Sequence, residues 1–325
     1  MRATCHTSNV QQRFYSGFLS LSHIVVIVLW VLAFALPLFL ALGSREFVLQ
    51  TNSYQEQPVI KSMNQVLCIL EGERAKQPLT LVHTTFPEHI QRLFIKKKNE
   101  SLQAARVKTS SIDDNSDGIA ESIWIEIAMP LSVSDVIRQA TVVVVLDYKL
   151  ENYAKLNMDV MVVFSHSSLN TGDTLDIDGD LDLHQRNALK ITDSIQQPYI
   201  TSPIVNMTTT DTTQEQLVQS LYSEYRKRNY TAYLHVPFPV WKVASNTSEA
   251  ERMFRVSMTI RNDKVNVVYT PEWPEIVKHA WIQYYCIFIF VSTLIFAIRE
   301  YLFKHKLLSS VCIVDETRRG FNKYI

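Results

Sequence analysis

Two apolar runs without a formal charge, one near each end, constrain this chain more than any other feature. The first, 18–42, contains no Lys, Arg, Asp or Glu. The second, 280–298, is equally free of charge and is bounded by Lys278 and Arg299. A helix rises about 1.5 Å per residue, so about 20 residues cross the hydrocarbon core of a bilayer. Pro37 lies inside the first run. A proline is tolerated in a membrane helix when neighbouring groups satisfy the freed carbonyl. A cleaved signal peptide is the competing reading there, but its apolar core spans only about 7–15 residues, and 38–43 lacks a small-x-small cleavage pattern. The second run opens with Trp281, Tyr284 and Tyr285, residues that favour the headgroup level. It is apolar on all faces, unlike a half-buried core helix. The expectation is a two-pass membrane protein: tail 1–17, transmembrane helix 18–42, central domain 43–279, transmembrane helix 280–298, tail 299–325.

Charge gives the orientation. The formal net charge is zero, with 32 basic and 32 acidic residues. The two tails hold 8 of the basic and 3 of the acidic residues, which leaves 24 and 29 for the middle. Tails near +5 and a domain near −5 follow. Basic flanks stay on the cytoplasmic side, so both tails are expected there, with the central domain luminal or extracellular. Of the four cysteines, Cys5, Cys68, Cys286 and Cys312, only Cys68 falls in the domain. No internal disulfide can form there, and the domain must rely on its core. Cys68, within Val66-Leu67-Cys68-Ile69-Leu70, reads as a core thiol. Four glycosylation sequons, at Asn99, Asn206, Asn229 and Asn246, all lie in this middle region and would mark surface positions.

The middle reads mostly as strands. In 121–129, Ile123, Ile125 and Ile127 alternate with Ser122, Trp124 and Glu126, the period of a half-buried strand. Segment 254–260 alternates in the same way. Segments 140–146 and 159–164 are denser in Val and suit strands buried on both faces. Asp178-Gly179 is expected to close a two-residue hairpin between 174–177 and 180–183. Asn262-Asp263 is expected to turn the strand ending at Arg261 into one starting at Lys264. One helix stands out, with Leu217, Val218, Leu221, Tyr222 and Tyr225 forming an apolar stripe. Thr212 and Glu215 offer a capping box, and Arg226-Lys227-Arg228 reads as a solvated helix end. Lys96 to Glu100 reads as an exposed loop. The fold class is therefore mostly β: a sandwich-like extracytoplasmic domain with one or two helices, flanked by two transmembrane helices.

No phosphate-binding glycine loop, HExxH helix or GxSxG elbow is present in the sequence. His83, His89, His166 and His184 lack metal-ligand spacing and read as surface or packed side chains. No catalytic residue and no nucleic-acid partner is expected. The segment Asp113-Asp114-Asn115-Ser116-Asp117-Gly118-Ile119-Ala120-Glu121 does carry chemistry. Asp113, Asn115, Asp117 and Glu121 place oxygens at positions 1, 3, 5 and 9, with Gly118 free to make a sharp turn. Hard oxygens converging on one point suit a structural Ca²⁺. Position 12 is Trp124 rather than the Glu of an EF-hand, so a short calcium loop between two strands is the form expected. The other reading is an acidic turn whose side chains cap the backbone. A second acidic run, Asp173, Asp176, Asp178, Asp180 and Asp182, reads as solvent-facing carboxylates on a hairpin.

An ordered set of segments carries a family likeness. It comprises Ser53-Tyr54-Gln55-Glu56-Gln57-Pro58, Gln65-Val66-Leu67, the 113–118 loop, Met129-Pro130-Leu131 and Gly179-Asp180-Leu181. It continues through Asn229-Tyr230-Thr231, Pro239-Val240-Trp241 and Trp281-Ile282-Gln283-Tyr284. In order and spacing, from about Ser53 to Phe303, the chain resembles the transmembrane protein 231 family. The family would have Asp where Glu121 stands, and no likeness is claimed for the N-terminal tail or beyond Lys306. The resemblance implies a non-enzymatic component of the ciliary transition zone, in the membrane complex named for Meckel syndrome. It implies B9-domain proteins, tectonics and other membrane components as partners, and a role in cilium assembly and in the diffusion barrier between ciliary and plasma membranes. The basic tails would meet cytoplasmic partners or anionic lipid.

Three other readings share this topology. A glycosylated two-pass accessory subunit of a transporter or flippase is one, although such subunits usually rely on ectodomain disulfides. A two-pass channel subunit is another, although Ser20, Ser22, His23, Gln283, Ser292 and Thr293 are few polar groups for a pore. A luminal enzyme is the third.

Overall fold

A computed structural model describes residues 11–15, 17, 20–44, 47–87, 100–201, 204, 214–243 and 252–315. The chain divides into two compact units, 1–50 with 272–325, and 51–271.

The first unit is helical. Helix α1, Leu21–Gly43, covers the first apolar run, with Ser20 as its N-cap. A second long helix spans Trp273–Lys304, starting ahead of the uncharged 280–298 segment and ending beyond it. Both are long and apolar enough to cross a membrane. They pack through small or branched residues, with Ala33, Val291 and Ile295 buried together. Trp30 meets Phe296 edge-on at 5.5 Å, and Phe34 stacks on Phe288 at 5.4 Å. Small residues at such a seam let helix backbones approach, as lipid supplies no hydrophobic drive between them. Two short strands flank the pair. Strand β1, Gln11–Tyr15, runs antiparallel to a strand at Val311–Asp315, with Arg13 opposite Ile313. The two strands therefore lie at the same end of the helix pair.

The second unit is a β domain. Strands β2 to β5 are Asn52–Glu56, Val59–Arg74, Gln77–Thr84 and Glu100–Leu102. Strands β6 to β11 are Arg106–Ile112, Ser122–Pro130, Asp135–Leu150, Leu156–Ser167, Gly172–Gln185 and Leu189–Lys190. Helix α2, Gln214–Tyr225, follows, then β12 to β15 at Tyr230–His235, Val240–Val243, Met253–Arg261 and Val265–Thr270. The long helix at Trp273–Lys304 is α3, and the final strand at Val311–Asp315 is β16.

Two large sheets face each other. One has the order β5-β4-β3-β8-β9, the other β12-β10-β14-β7-β6 with β13 also on β10. A small separate sheet, β11-β15-β2, adds Leu189, Val265 and Val267 to the same core. The core between the large sheets takes Val66, Cys68, Leu70, Val142 and Val144 from one side. From the other it takes Ile123, Ile125, Ile127, Leu175, Val256 and Met258. Cys68 is a core thiol, as its apolar setting suggests, and burial pushes its pKa up to about 12. The opposite face of the five-stranded sheet is covered as well. Leu67, Ile69, Val143, Val145 and Met161 pack under Leu221 and Tyr225 of α2. This explains the Val-dense runs in β8 and β9, since a strand buried on both faces has no polar alternation.

Three sequence expectations need correction. Asp178-Gly179 closes no hairpin: β10 runs unbroken from Gly172 to Gln185. Leu175, Ile177 and Leu181 keep pointing inward across the glycine, so the hydrophobic period overrides the turn signal. Gly179 instead permits a close crossing. A Cβ there would lie 2.6 Å from the His235 carbonyl oxygen, where β10 exchanges β13 for β12 as its antiparallel neighbour. Asn262-Asp263 does end β14, but β14 and β15 lie in different sheets. Asn262 is buried, and its Nδ2 donates to the carbonyls of Pro58 at 2.7 Å and Ala120 at 2.8 Å, pinning a corner. The basic run after α2 is only partly solvated. Arg226 and Lys227 are exposed, but the Arg228 guanidinium lies over the Tyr199 ring at 4.5 Å, a cation–π contact. Thr212 of the expected capping box lies outside the described residues.

Candidate functional site

The acidic loop joins the edge strand β6 to β7. Its chain reverses through two left-handed residues, Ser116 (φ 59°) and Gly118 (φ 89°). The space at Gly118 is open, so the glycine serves the dihedral and not a close contact. The loop's side chains cap its own amides. Asp113 Oδ2 accepts from the Gly118 N–H at 3.0 Å, Asn115 Oδ1 from Asp117 at 2.8 Å, and Asp117 Oδ1 from Ile119 at 2.8 Å. Glu121 Oε2 accepts from the Asp114 N–H at 2.8 Å.

The same folding brings carboxylate oxygens of Asp113, Asp117 and Glu121 within 4.8 Å of one another. Asn115 is tied to the same loop, its Nδ2 donating to Asp117 Oδ2 at 3.0 Å. Of the four residues marked in the sequence, the three carboxylates converge, and Asn115 Oδ1 is engaged with the Asp117 N–H. Glu121 Oε1 is shielded from solvent and has no hydrogen-bond partner, so an oxygen is available on the inner side. The donor chemistry fits Ca²⁺ in kind. In number it falls short of the usual ~6–8 ligands, and water would complete the shell. An ion here would brace the loop.

The other candidates resolve into structure. Asp176 pairs with Lys242 at 2.5 Å, and Asp178 meets Arg261 through two bonds of 2.9 and 2.5 Å. Two carboxylates of the second acidic run, Asp176 and Asp178, thus make cross-strand ion pairs along β10. His83 Nδ1 accepts from the Ala105 N–H at 3.2 Å. Burial lowers its pKa, with the Gln103 carbonyl opposing. His166 packs on Trp241 and His184 on Tyr233. His89 and Lys96 to Asn99 lie outside the described residues, as do Asn206 and Asn246. Asn229 is exposed in the turn after α2, where a glycan has room.

Two buried polar clusters carry weight that sequence reasoning missed. Glu56 is buried, and its Oε1 accepts from the amides of Glu151 at 2.8 Å and Asn152 at 2.9 Å. Tyr54 Oη donates to Glu56 Oε2 at 2.9 Å and accepts from Ala154 at 3.0 Å. This pair clamps the β8–β9 turn to β2, and burial, reinforced by Glu56, pushes the Tyr54 pKa up to about 12. The available signal was two polar residues at i and i+2 on a short strand, a period easily read as a solvated face. Asp135, fully buried, binds Arg74 Nε at 2.6 Å and Nη2 at 3.0 Å and accepts from the Ser132 N–H at 2.8 Å. Burial raises its pKa, but the Arg74 and Ser132 bonds outweigh that and hold it below the usual carboxylate value.

With this geometry in hand, comparison with known proteins is decisive about kinship. The family model described as Transmembrane protein 231 matches residues 1–312. The chain belongs to that family. Its match takes in the N-terminal tail and runs past Lys306 to residue 312, beyond the stretch where the segments alone showed a likeness. Transmembrane protein 231 of Homo sapiens is 27% identical over 312 residues, covering 96% of this chain and 94% of its own. That of Xenopus tropicalis is 26% identical over 299 residues, 92% of each chain. Among solved structures, a proton-activated chloride channel aligns over 85% of this chain and 98% of its own, at 9% identity and a TM-score of 0.26. That score is too low to bear on fold or function. The family segment Ser53 to Pro58 coincides with the Tyr54–Glu56 clamp, and Asp113 to Gly118 with the self-capped loop.

Proposed function

We propose that this chain is a structural, non-enzymatic membrane component of the ciliary transition zone, serving cilium assembly and the diffusion barrier between ciliary and plasma membranes. The observation that carries the reading is the family match across residues 1–312. A physical rationale accompanies it. A domain tethered at both ends by candidate membrane helices has little rotational freedom and can pack laterally into a fixed fence. Its partners in this reading are B9-domain proteins, tectonics and other membrane components of the Meckel syndrome complex. The tails face the cytoplasm and the β domain the exterior. The acidic loop serves the fold, with Ca²⁺ the cation its oxygens would take.

The test is localisation. With the C-terminus tagged at the endogenous locus in ciliated cells, the expected signal is a tight focus at the axoneme base. B9-domain and tectonic proteins should copurify. A functional fusion spread through the endoplasmic reticulum or the whole plasma membrane contradicts the reading.

A further inference from the structure

The termini of the helical unit are built into a small module. Helix α3 runs six residues past Ile298, the last of its uncharged stretch. At about 1.5 Å per residue that carries Lys304 about 9 Å beyond the hydrocarbon edge, to the outer rim of a headgroup layer some 5–8 Å deep. The chain then reverses. Lys306 sits in the left-handed region (φ 52°), its N–H donating to Phe303 and the Leu307 N–H to Leu302, both at 3.1 Å. This is a Schellman turn, with lysine where glycine is usual. The reversed segment returns to α1, where Ser22 Oγ, fully buried, donates to the Ser309 carbonyl at 2.6 Å. Strands β1 and β16 then pair over five residues, and Phe14 packs on Phe303 at 5.5 Å.

A two-stranded ribbon is marginal on its own in water, and this one leaves apolar surface uncovered. Tyr15, Leu307 and Val311 are 52%, 62% and 66% exposed. Lys304, His305 and Lys306 are exposed in the adjoining turn, next in sequence to Leu307. Exposed apolar groups edged by cations, held at headgroup depth by a helix end, match a negatively charged lipid surface in both hydrophobicity and charge. Solvent meets neither requirement, and a neutral bilayer meets only the first.

We propose that the β1–β16 ribbon and the Lys304–Lys306 turn form a surface module that binds anionic lipid headgroups in the leaflet the tails face. The module fixes the helix pair in depth and rotation. It deepens the transition-zone reading, because a component of a fixed fence gains from lipid-specific anchoring.

The test uses the full chain in nanodiscs of phosphatidylcholine alone or with phosphatidylserine, read by hydrogen exchange of the 311–315 amides. Each juxtamembrane cation is worth about five-fold in affinity for an anionic surface. With Lys304 and Lys306 both engaged, exchange should therefore slow by up to about 25-fold in anionic discs, and a Lys304→Gln/Lys306→Asn variant should lose most of that slowing. Asn tolerates the left-handed position, so the turn survives. Equal exchange in both discs overturns the proposal, as does undiminished slowing in the variant. Slowing by a soluble acidic peptide but not by phosphatidylserine overturns it in favour of a protein partner. Nanodiscs expose both faces and contain no cilium, so the outcome is independent of whether the sidedness or the localisation holds.

Discussion

In the β domain, Ile123, Ile125 and Ile127 are no more than 1% exposed, whereas Val31, Phe39 and Leu42 of α1 are 61%, 70% and 56% exposed. Residue types of similar hydrophobicity meet opposite fates. In the domain, period-2 alternation sends each apolar side chain between two sheets, and the protein supplies its own cover. In the helices, apolar residues cover the whole circumference, and one partner helix can bury only a strip. The remainder requires hydrocarbon. Apolar content alone does not separate these cases, but its periodicity does.

Substitutions can break this comparison. The largest expected effect is at the sandwich core: Ile125→Ala should cost about 2–5 kcal/mol in domain stability. Phe39→Ala should leave that stability within about 0.5 kcal/mol. Both are read by urea unfolding of the full chain in nanodiscs, following tryptophan fluorescence. Equal costs at the two sites would erase the distinction between self-covered and lipid-covered surface.

Next in size is the buried Asp135 carboxylate and its ion pair with Arg74. Asp135→Ala should cost about 1–3 kcal/mol, since the Ser132 amide loses its acceptor while the Arg74 guanidinium, partly exposed, can turn to water. Its pH dependence has a definite sign. The folded pKa is depressed, so the stabilisation is fully present above the ordinary carboxylate pKa and is lost as pH falls through the folded value. The gap in stability between wild type and Asp135→Asn should therefore narrow on acidification. A gap that widens in acid contradicts the assignment.

The smallest effect belongs to the acidic loop. Asp113→Ala removes the cap on the Gly118 amide and should cost about 1 kcal/mol without calcium. Added Ca²⁺ should raise the stability of wild type, and that of Asp113→Ala or Glu121→Gln less. Identical calcium responses in all three would reduce the loop to a self-capped turn.

The contrast also governs what could be read from sequence. Strands β7 and β14 were legible because each exposes one pleated face and buries the other. Strands β8 and β9 were legible because Val filled both. The apolar runs were legible by length alone. The Asp178-Gly179 signal misled because turn preference is local, while Leu175, Ile177 and Leu181 answer to a core contributed by distant strands. Glu56, Asp135 and Asn262 were invisible for the same reason. A buried polar residue is identified by partners 61 to 204 positions away, and no local pattern encodes them. The β1–β16 ribbon joins opposite ends of the chain and has no local signature. The acidic loop was legible because its spacing and its hydrogen bonds lie within nine residues.

The central proposal is that a self-covered β domain and a pair of basic tails lie on opposite sides of one membrane. Asn229, exposed in the turn after α2, tests it most directly. Asn99, Asn206 and Asn246 are changed to Gln, and a new sequon is placed in the N-terminal tail. Mobility of the membrane-bound chain is then compared before and after peptide N-glycosidase treatment. The account predicts one glycan, lost with Asn229→Gln, and an unmodified tail. A glycan on the tail sequon with none at Asn229 would invert the topology and contradict it.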